Sequence, residues 1–313
     1  MLIFVCGTGR CGSTLVTELL AHHPEVGFIS NVDDKLNLLD LGGRWNNAMF
    51  QHVRPRDQSL VPFKSRRRLL ELGRLRFAPS EGWELLERQV SPIFTNYYRD
   101  LVADDVNPWL ERRLRQFFER RMATQRKSFF VHHFTGWPRS GLLQAVFPEA
   151  SVVNVIRDGR AVANSWLQMP WWTGYKGPSG WDLGPLPAVY ETEWRQSGES
   201  FVVLAGLGWK LLIDAFERAG TAFPPGQWVN VRFEDLLTNP RTQSEALLKS
   251  VGLDWTPKFE AGFARYRFRP ERSQAFRREL SPANLARLES VLAGHLRTYG
   301  YELGPGEDAA DAH

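Results

Sequence analysis

Short apolar runs recur along the chain, and most are followed by a polar turn and a segment with helical periodicity. The first run, residues 2–6 (LIFVC), has β-branched and aromatic side chains without alternation, which is typical of a strand buried on both faces. Related patterns predict further strands over residues 25–30, 128–133, 151–156 and 227–233. Strands that alternate with helices indicate an α/β fold of three layers, with a central parallel sheet flanked by helices.

The predicted helices show apolar residues at spacings of three and four. The first covers residues 13–22 and ends before Pro24. Others are predicted over residues 35–40, 81–90, 109–124, 189–219, 242–251 and 282–292. We expect one domain over residues 1–303, with a helical insertion at about 41–127 and a disordered tail over 304–313.

A glycine-rich turn separates the first strand from the first helix. Gly7, Gly9 and Gly12 let backbone amides approach one point closely, and the helix that follows adds partial positive charge there. The hydroxyls of Ser13 and Thr14 add donors. Such a loop binds an anion, although a glycine-rich turn without a ligand is the alternative interpretation.

The loop differs from the nucleotide P-loop at one informative position. The spacing G-x-x-x-x-G-[ST]-[ST] is present, but Ser13 stands where kinases and NTPases have the lysine that contacts the β- and γ-phosphates. Arg10, inside the loop, supplies the cation instead. This difference argues against ATP or GTP chemistry.

A second phosphate-binding pattern follows the strand predicted at residues 151–156. Arg157 comes at the carboxyl end of that strand, and residues 157–166 (RDGRAVANSW) predict a helix. Ser165 lies eight residues beyond Arg157, about two helical turns, and can share a helix face with residues near its start. The residues alone therefore predict a site for two phosphates on a P-loop-like sheet.

Three segments resemble the sulfotransferases, which use 3′-phosphoadenosine 5′-phosphosulfate (PAPS). Residues 9–15 (GRCGSTL) and 157–165 (RDGRAVANS) are similar to the two cofactor signatures of that family. Residues 228–240 (WVNVRFEDLLTNP) resemble its strand that ends in an aromatic-Glu-Asp sequence. The resemblance extends over most of the chain in the family's order. It implies transfer of a sulfuryl group to an acceptor hydroxyl by in-line displacement, without a metal.

The resemblance also implies roles for residues at the cofactor. The first loop would bind the 5′-phosphosulfate, Arg157 and Ser165 would bind the 3′-phosphate, and Phe233 would contact adenine where relatives have another aromatic ring. Core packing is the alternative for Phe233. One or two arginines between residues 265 and 278 would reach the 3′-phosphate. The loop residues concerned are Gly9, Arg10, Cys11, Gly12, Ser13 and Thr14.

The same resemblance implies two positions for the base that takes the acceptor's proton. In the family's cytosolic branch a catalytic histidine lies about two dozen residues before the phosphate-binding arginine, and His133 precedes Arg157 by 24 residues. Many relatives have lysine near this place. His132 is the neighbouring candidate, but only one of two adjacent strand residues can face the site. In other branches a glutamate ends the second strand, where this chain has Asp33 and Asp34. Both can instead cap a helix.

Two further segments bear on the acceptor. Residues 169–185 combine Gly and Pro with three tryptophans and a tyrosine, which indicates a lid or a wall of the acceptor pocket; a packed loop without substrate contact is equally compatible. The insertion at 41–127 is expected on the acceptor side. Its basic residues indicate a solvated face, or a surface for an acidic substrate or membrane. They are Arg54, Arg56, Lys64, Arg66, Arg67 and Arg68.

Composition narrows the range of partners. The 313 residues include 39 Lys and Arg against 35 Asp and Glu, a net charge of +4, so we expect no nucleic-acid partner. The two cysteines form no disulfide framework, and no apolar run reaches the roughly 20 residues of a membrane span. We expect a cytoplasmic protein that acts on a carbohydrate, lipid or other small hydroxyl compound. Its oligomeric state is left open.

Two other functions fit the same patterns. The first is a P-loop phosphotransferase of another kind, which would bind a nucleotide with Mg²⁺. The second is a non-catalytic nucleotide-binding module, which keeps the loop and lacks a working base.

Overall fold

The computed structural model describes residues 1–39, 41–55, 76–95 and 98–304. Its centre is a sheet of five strands in the order β2-β3-β1-β4-β5, and every neighbouring pair is parallel. The predicted α/β fold with a central parallel sheet is confirmed. The strands are β1 Leu2–Gly7, β2 Val26–Phe28, β3 Phe129–Thr135, β4 Ser151–Ile156 and β5 Trp228–Arg232.

Helices connect the strands and cover both faces of the sheet. The first seven are α1 Ser13–Ala21, α2 Asn31–Lys35, α3 Asn46–Phe50, α4 Trp83–Gln89, α5 Pro108–Gln125, α6 Ser140–Val146 and α7 Gly159–Leu167. The others are α8 Ala188–Gln196, α9 Phe201–Ala222, α10 Phe233–Thr238, α11 Pro240–Ser250, α12 Pro257–Phe263, α13 Phe276–Glu279 and α14 Pro282–Thr298.

Strand β1 is buried on both faces, as its unbroken apolar sequence predicts. Ile3 and Val5 pack with side chains of α1, α10 and α11, whereas Phe4 and Cys6 pack with side chains of α5, α6 and α9. This division follows from the alternation of side chains along a strand. A further apolar cluster joins α7, α9 and α14.

Two helix predictions were wrong for local reasons. A helix was expected over residues 35–40, but α2 ends at Lys35, because Ser30 caps it together with Asp33 and so starts it earlier. One helix was expected over residues 189–219, but α8 and α9 are separate. Gly198 and Glu199 both have positive φ between them, a conformation that a helix does not accommodate.

The strand order places a crevice at the carboxyl end of the sheet. From β1 the chain moves to one side, to β2 and β3, and from β4 it moves to the other side, to β5. The loops after β1 and β4 therefore diverge, and ligands bind in such a crevice in open α/β sheets.

Some predictions lie beyond what the structure describes. The predicted insertion contains α3, α4 and α5, but residues 56–75, with all of the basic cluster except Arg54, lie outside the described ranges, as do Asp40 and residues 305–313 of the tail. The assignment of one domain with an insertion stays a prediction.

Candidate active site

A cavity of about 990 Å³ opens at the carboxyl end of the sheet. Its lining includes the loop after β1, the start of α1, the end of β3, the first residue after β4 and α7. All the predicted cofactor residues except Cys11 are among them: Gly9, Arg10, Gly12, Ser13, Thr14, Arg157, Ser165 and Phe233. Residues far apart in the sequence thus meet in one cavity.

The loop after β1 has three residues in an unusual backbone conformation. Gly9, Arg10 and Gly12 have φ of 80°, 57° and 99°, all in the left-handed region. At Gly12 a side chain is also excluded by space, because a Cβ there would lie 2.2 Å from the ring of Phe233. Gly12 is the N-cap of α1 and offers no side-chain oxygen to the first turn. The start of α1 therefore keeps its positive end for an anion.

Two arginines connect this loop to α7. Arg10 Nε donates to Ser165 Oγ at 2.8 Å, and Arg157 Nη1 donates to the backbone oxygen of Arg10 at 2.8 Å. The indole of Trp166 also donates to the oxygen of Gly9, at 3.4 Å. The predicted proximity of Arg10, Arg157 and Ser165 is therefore present in the structure.

The charges of these arginines lack an anionic partner among the described residues. Burial lowers the pKa of both Arg10 and Arg157, and the charge of Arg157 lowers that of Arg10 further. In the described part of the chain no carboxylate forms an ion pair with either guanidinium, and the buried Nε of Arg157 has no hydrogen-bond partner there. Two neighbouring cations with spare donors fit a bound phosphate group.

Cys11 is the exception among the predicted loop residues. It is fully buried beneath the loop, and its Sγ fills the space where a side chain on Gly7 would lie. Burial raises the pKa of the Cys11 thiol. Its side chain therefore packs the loop from below and does not line the cavity.

A buried network fixes the strand-to-helix turn that carries Arg157. Asp158 caps α7 and pairs with Arg160 at 2.8 Å, and Arg160 also pairs with Glu289 of α14. Glu234 accepts from the amide of Asp158 at 3.1 Å and from the hydroxyl of Tyr301 at 3.0 Å. The aromatic-Glu-Asp segment thus serves to hold the start of α7, a role that its sequence did not reveal.

The opposite part of the cavity is formed by segments near the C-terminus. Phe233, Leu237 and Phe276 line it, together with Arg272. The guanidinium of Arg157 lies 5.0 Å from the centre of the Phe233 ring. Of the arginines predicted to reach the 3′-phosphate, Arg272 is the one that lines the cavity.

Neither histidine predicted as a base lines this cavity. His133 is 3% exposed and is paired in register with Val5, so it lies on the face that packs under α1. His132 lies on the other face, where the centre of its ring is 5.5 Å from that of Phe118 and 4.4 Å from that of Phe134. Burial lowers the pKa of His132 well below its usual value. The pleat of β3 thus directs both rings into the core.

The two aspartates after β2 also lie away from the cavity. Asp33 accepts from the amide of Ser30 at 2.8 Å and from Asn46 at 2.6 Å, in a capping box. Asp34 is buried and accepts from the amide of Leu85 at 3.1 Å. Both aspartates therefore accept hydrogen bonds near helix starts, which agrees with the alternative interpretation that they stabilise helices.

The structure adds a carboxylate and an aromatic wall that face the cavity. Glu81 lines it and was predicted only as the start of a helix. The loop at 169–185 also lines it, so the interpretation as a cavity wall holds over that of a loop packed elsewhere. The tryptophans that line it are Trp83, Trp166, Trp171, Trp172 and Trp181. Only the tryptophan-rich loop carried a sequence signal.

Two general features concern the described residues as a whole. No group of three or more His, Cys, Asp or Glu side chains among them is arranged to hold a metal ion. Within the described ranges, no helix is both long enough and apolar enough to cross a membrane. A cytoplasmic location stays a prediction.

Comparison with solved structures shows the fold. The sulfotransferase domain of the Synechococcus PCC 7002 olefin synthase is similar with a TM-score of 0.51 and 14% identity, over 97% of this chain and 95% of that one. The sulfotransferase domain from the curacin biosynthetic pathway is similar with a TM-score of 0.53 and 11% identity, over 96% of this chain and 98% of that one. Sulfotransferase STF9 from Mycobacterium avium is similar with a TM-score of 0.54 and 14% identity, over 96% of this chain and 77% of that one.

Comparison of sequences shows the family. No curated protein sequence matches the chain. The family model described as "Sulfotransferase family" matches residues 3–257, from β1 to the first residue of α12. Because this match spans most of the chain, the protein belongs to the sulfotransferase family.

Proposed function

We propose that this protein transfers a sulfuryl group from PAPS to an acceptor hydroxyl. The observation that carries the proposal is the array of Arg10, Ser165 and Arg157, which joins the loops after β1 and β4 with cationic donors left over. PAPS has two separated anionic groups. A site with two neighbouring arginines and a helix N-terminus is suited to both.

The residues of the loop after β1 would hold the 5′-phosphosulfate. When bound, PAPS supplies the sulfuryl group and a phosphate that accepts negative charge as the sulfur–oxygen bond breaks. Arg10, the amides of the loop and the hydroxyl of Thr14 would offset that charge from fixed positions, as preorganised donors do in phosphoryl transfer. Ser13 in place of the usual lysine supports a donor other than ATP–Mg²⁺.

The residues around α7 and the C-terminal segments would hold the rest of the nucleotide. Arg157, Ser165 and Arg272 are proposed to bind the 3′-phosphate, and the ring of Phe233 to contact adenine. This assignment also accounts for the network of Asp158, which fixes the turn that presents Arg157.

The residues that the sequence analysis predicted as the base have less structural support than the cofactor residues. Arg10 remains a proposed catalytic residue because it faces the cavity. His133 and Asp33 stay predictions from the resemblance, but neither lines the cavity, and a base must come within hydrogen-bond reach of the acceptor.

Calorimetry with 3′-phosphoadenosine 5′-phosphate (PAP) tests the proposed donor. We expect PAP to bind in the presence of EDTA, and ATP with Mg²⁺ to bind at least tenfold more weakly. The reverse order would favour the P-loop phosphotransferase and contradict the proposal.

A transfer assay separates an enzyme from a binding module. The protein with ³⁵S-labelled PAPS is expected to label a hydroxyl compound in a panel of alcohols, phenols and sugars. Tight PAP binding with no labelling across the panel would favour the non-catalytic module.

A further inference from the structure

Four carboxylates line the cavity within the described part of the chain. They are Glu18, Glu81, Asp182 and Glu279. No histidine lines it there, so these side chains are the available proton acceptors. Their surroundings differ enough to distinguish among them.

Glu81 is held directly beside the loop after β1. Thr135, at the end of β3, is paired in register with Gly7 and donates from its hydroxyl to Glu81 Oε1. A Cβ added to Gly9 would meet the Cβ of Thr135 at 3.6 Å, and the amide of the next residue, Gly136, donates to the oxygen of Gly7 at 3.1 Å. One side chain therefore separates the Glu81 carboxylate from the proposed phosphosulfate site.

The other three carboxylates are placed less favourably. Glu18 lies in the second turn of α1, behind the loop, and accepts from Tyr266 at 3.2 Å. Glu279 accepts from Asn164 at 2.6 Å, on the side of α7. Asp182 belongs to the aromatic loop and accepts from Thr173 at 3.1 Å.

The backbone that carries Glu81 is fixed on both sides. Ser80 N donates to the oxygen of Ile29 at 2.9 Å, and Pro79 forms a bridge with Ser30, so this segment is attached to the end of β2. On the other side, Gly82 is the N-cap of α4. Glu81 is thus held at the carboxyl edge of the sheet, as preorganised catalysis requires.

The carboxylate has hydrogen-bonding capacity left for a substrate. Oε1 accepts from Thr135, and Oε2 accepts from the indole of Trp83 at 3.0 Å. A carboxylate offers about four lone-pair sites. The two protein donors orient the group, and each oxygen keeps a site that can accept from an acceptor hydroxyl.

We propose that Glu81 is the catalytic base that takes the acceptor's proton. This inference rests on the proposed sulfuryl transfer. Glu81 accepts the hydroxyl proton as the acceptor oxygen forms its bond to sulfur, and the bond from sulfur to the phosphate oxygen breaks with its electron pair staying on that oxygen. The products are the sulfate ester and PAP, and Glu81 then loses the proton to solvent.

The test uses two acceptors that differ in their need for a base. Benzyl alcohol keeps its proton until attack, whereas 4-nitrophenol at pH 8 is largely ionised already. For Glu81→Gln we expect kcat with benzyl alcohol to fall at least about 100-fold, since general bases contribute about 10²- to 10⁴-fold. With 4-nitrophenol the loss should stay below about tenfold.

Matched measurements exclude a purely structural effect. PAP affinity of Glu81→Gln should stay within threefold of the wild-type value. Glu84→Gln changes an exposed carboxylate on α4 that pairs with Lys35, and it should keep transfer to both acceptors.

Different failures point to different errors. Equal losses with both acceptors, loss of PAP affinity, or full activity of Glu81→Gln would each overturn the role of Glu81. In those cases wild-type transfer would still support the sulfotransferase assignment. Absence of transfer by the wild-type protein would instead overturn the proposed function.

Discussion

At the scale of single residues, the loop after β1 contains an arginine in an unusual conformation. Arg10 has a φ of 57°, which few residues other than glycine adopt. Its side chain donates to Ser165, and its backbone oxygen accepts from Arg157. Such strain persists where surrounding contacts determine it, and it is common at ligand sites.

The proposed role of Arg157 gives a prediction about two nucleotides. Arg157→Ala removes a charged donor from the 3′-phosphate, and we expect PAP to bind about 10- to 100-fold more weakly. Adenosine 5′-phosphosulfate, which has no 3′-phosphate, should lose far less. Calorimetry with both nucleotides measures the difference.

The control for this prediction is Arg278→Ala. Arg278 is exposed and does not line the cavity, so neither affinity should change. Equal weakening of both nucleotides by Arg157→Ala would mean that the residue only supports the loop.

At the scale of elements, a buried histidine joins α1 to its neighbours. His22, at the end of α1, is 1% exposed, and its ring stacks on that of Phe50 of α3 with the ring centres 4.4 Å apart. Its Nε2 lies 3.2 Å from the hydroxyl of Tyr266, and Gly262 of α12 leaves room for the ring. Burial, and then the charge of Arg265, lowers the pKa of His22 to about 4.

This shift predicts how stability depends on pH. The unfolded chain binds a proton on His22 below about pH 6.5, whereas the folded protein does not until about pH 4. The contribution of neutral His22 to the free energy of unfolding is therefore complete above pH 6.5 and is lost as pH falls toward 4. Between pH 7 and 4.5 we expect His22 to lower the free energy of unfolding by about 2–3 kcal/mol.

Urea unfolding at the two pH values tests this contribution. His22→Gln is less stable at pH 7 but should lose about 2–3 kcal/mol less than the wild-type protein on acidification. His52→Gln, which changes an exposed histidine, should leave the wild-type dependence intact. The same loss in wild type and His22→Gln would contradict the assignment.

Elements were predictable from sequence where the signals are local. The strand, glycine turn and helix at residues 2–22 follow from consecutive residues, and so does the N-terminal start of α14 at Pro282 after the cap Ser281. The break between α8 and α9 was missed because its turn residues lie within an otherwise helical pattern. Glu81 was assigned to a helix because nothing local distinguishes it from the first residues of α4.

At the scale of the whole molecule, charges of both signs line the cavity. The cationic side chains that line it in the described ranges are Arg10, Arg157 and Arg272, all proposed to contact the donor. Of the lining carboxylates, Glu81 accepts from the indole of Trp83, and Asp182 follows Trp181 in the chain. The proposed acceptor part therefore combines aromatic faces with negative charge.

The carboxylates beside the tryptophans predict a preference for acceptors without negative charge. Like charges that are brought together cost several kcal/mol, so kcat/KM for benzyl alcohol should exceed that for 4-(hydroxymethyl)benzoate at least about tenfold. Steady-state assays with both compounds measure the ratio. Asp182→Asn should narrow it, and a preference for the anionic compound would contradict the prediction.

The sequence by itself determined the proposed phosphate-binding parts of this protein. The loop of Gly9 to Thr14, Arg157 and Ser165 each follow a strand or lie on the adjoining helix, so spacing along the chain suffices to place them at the carboxyl ends of parallel strands. Their meeting in one cavity follows from the order of the strands.

Only the tertiary structure decided which acids line the cavity. The pleat and register of β3 turn His132 and His133 into the core, and the capping box engages Asp33. Glu81 meets Thr135 across 54 residues of chain, through the attachment of its segment to the end of β2. Contacts between distant segments depend on packing, which local spacing does not encode.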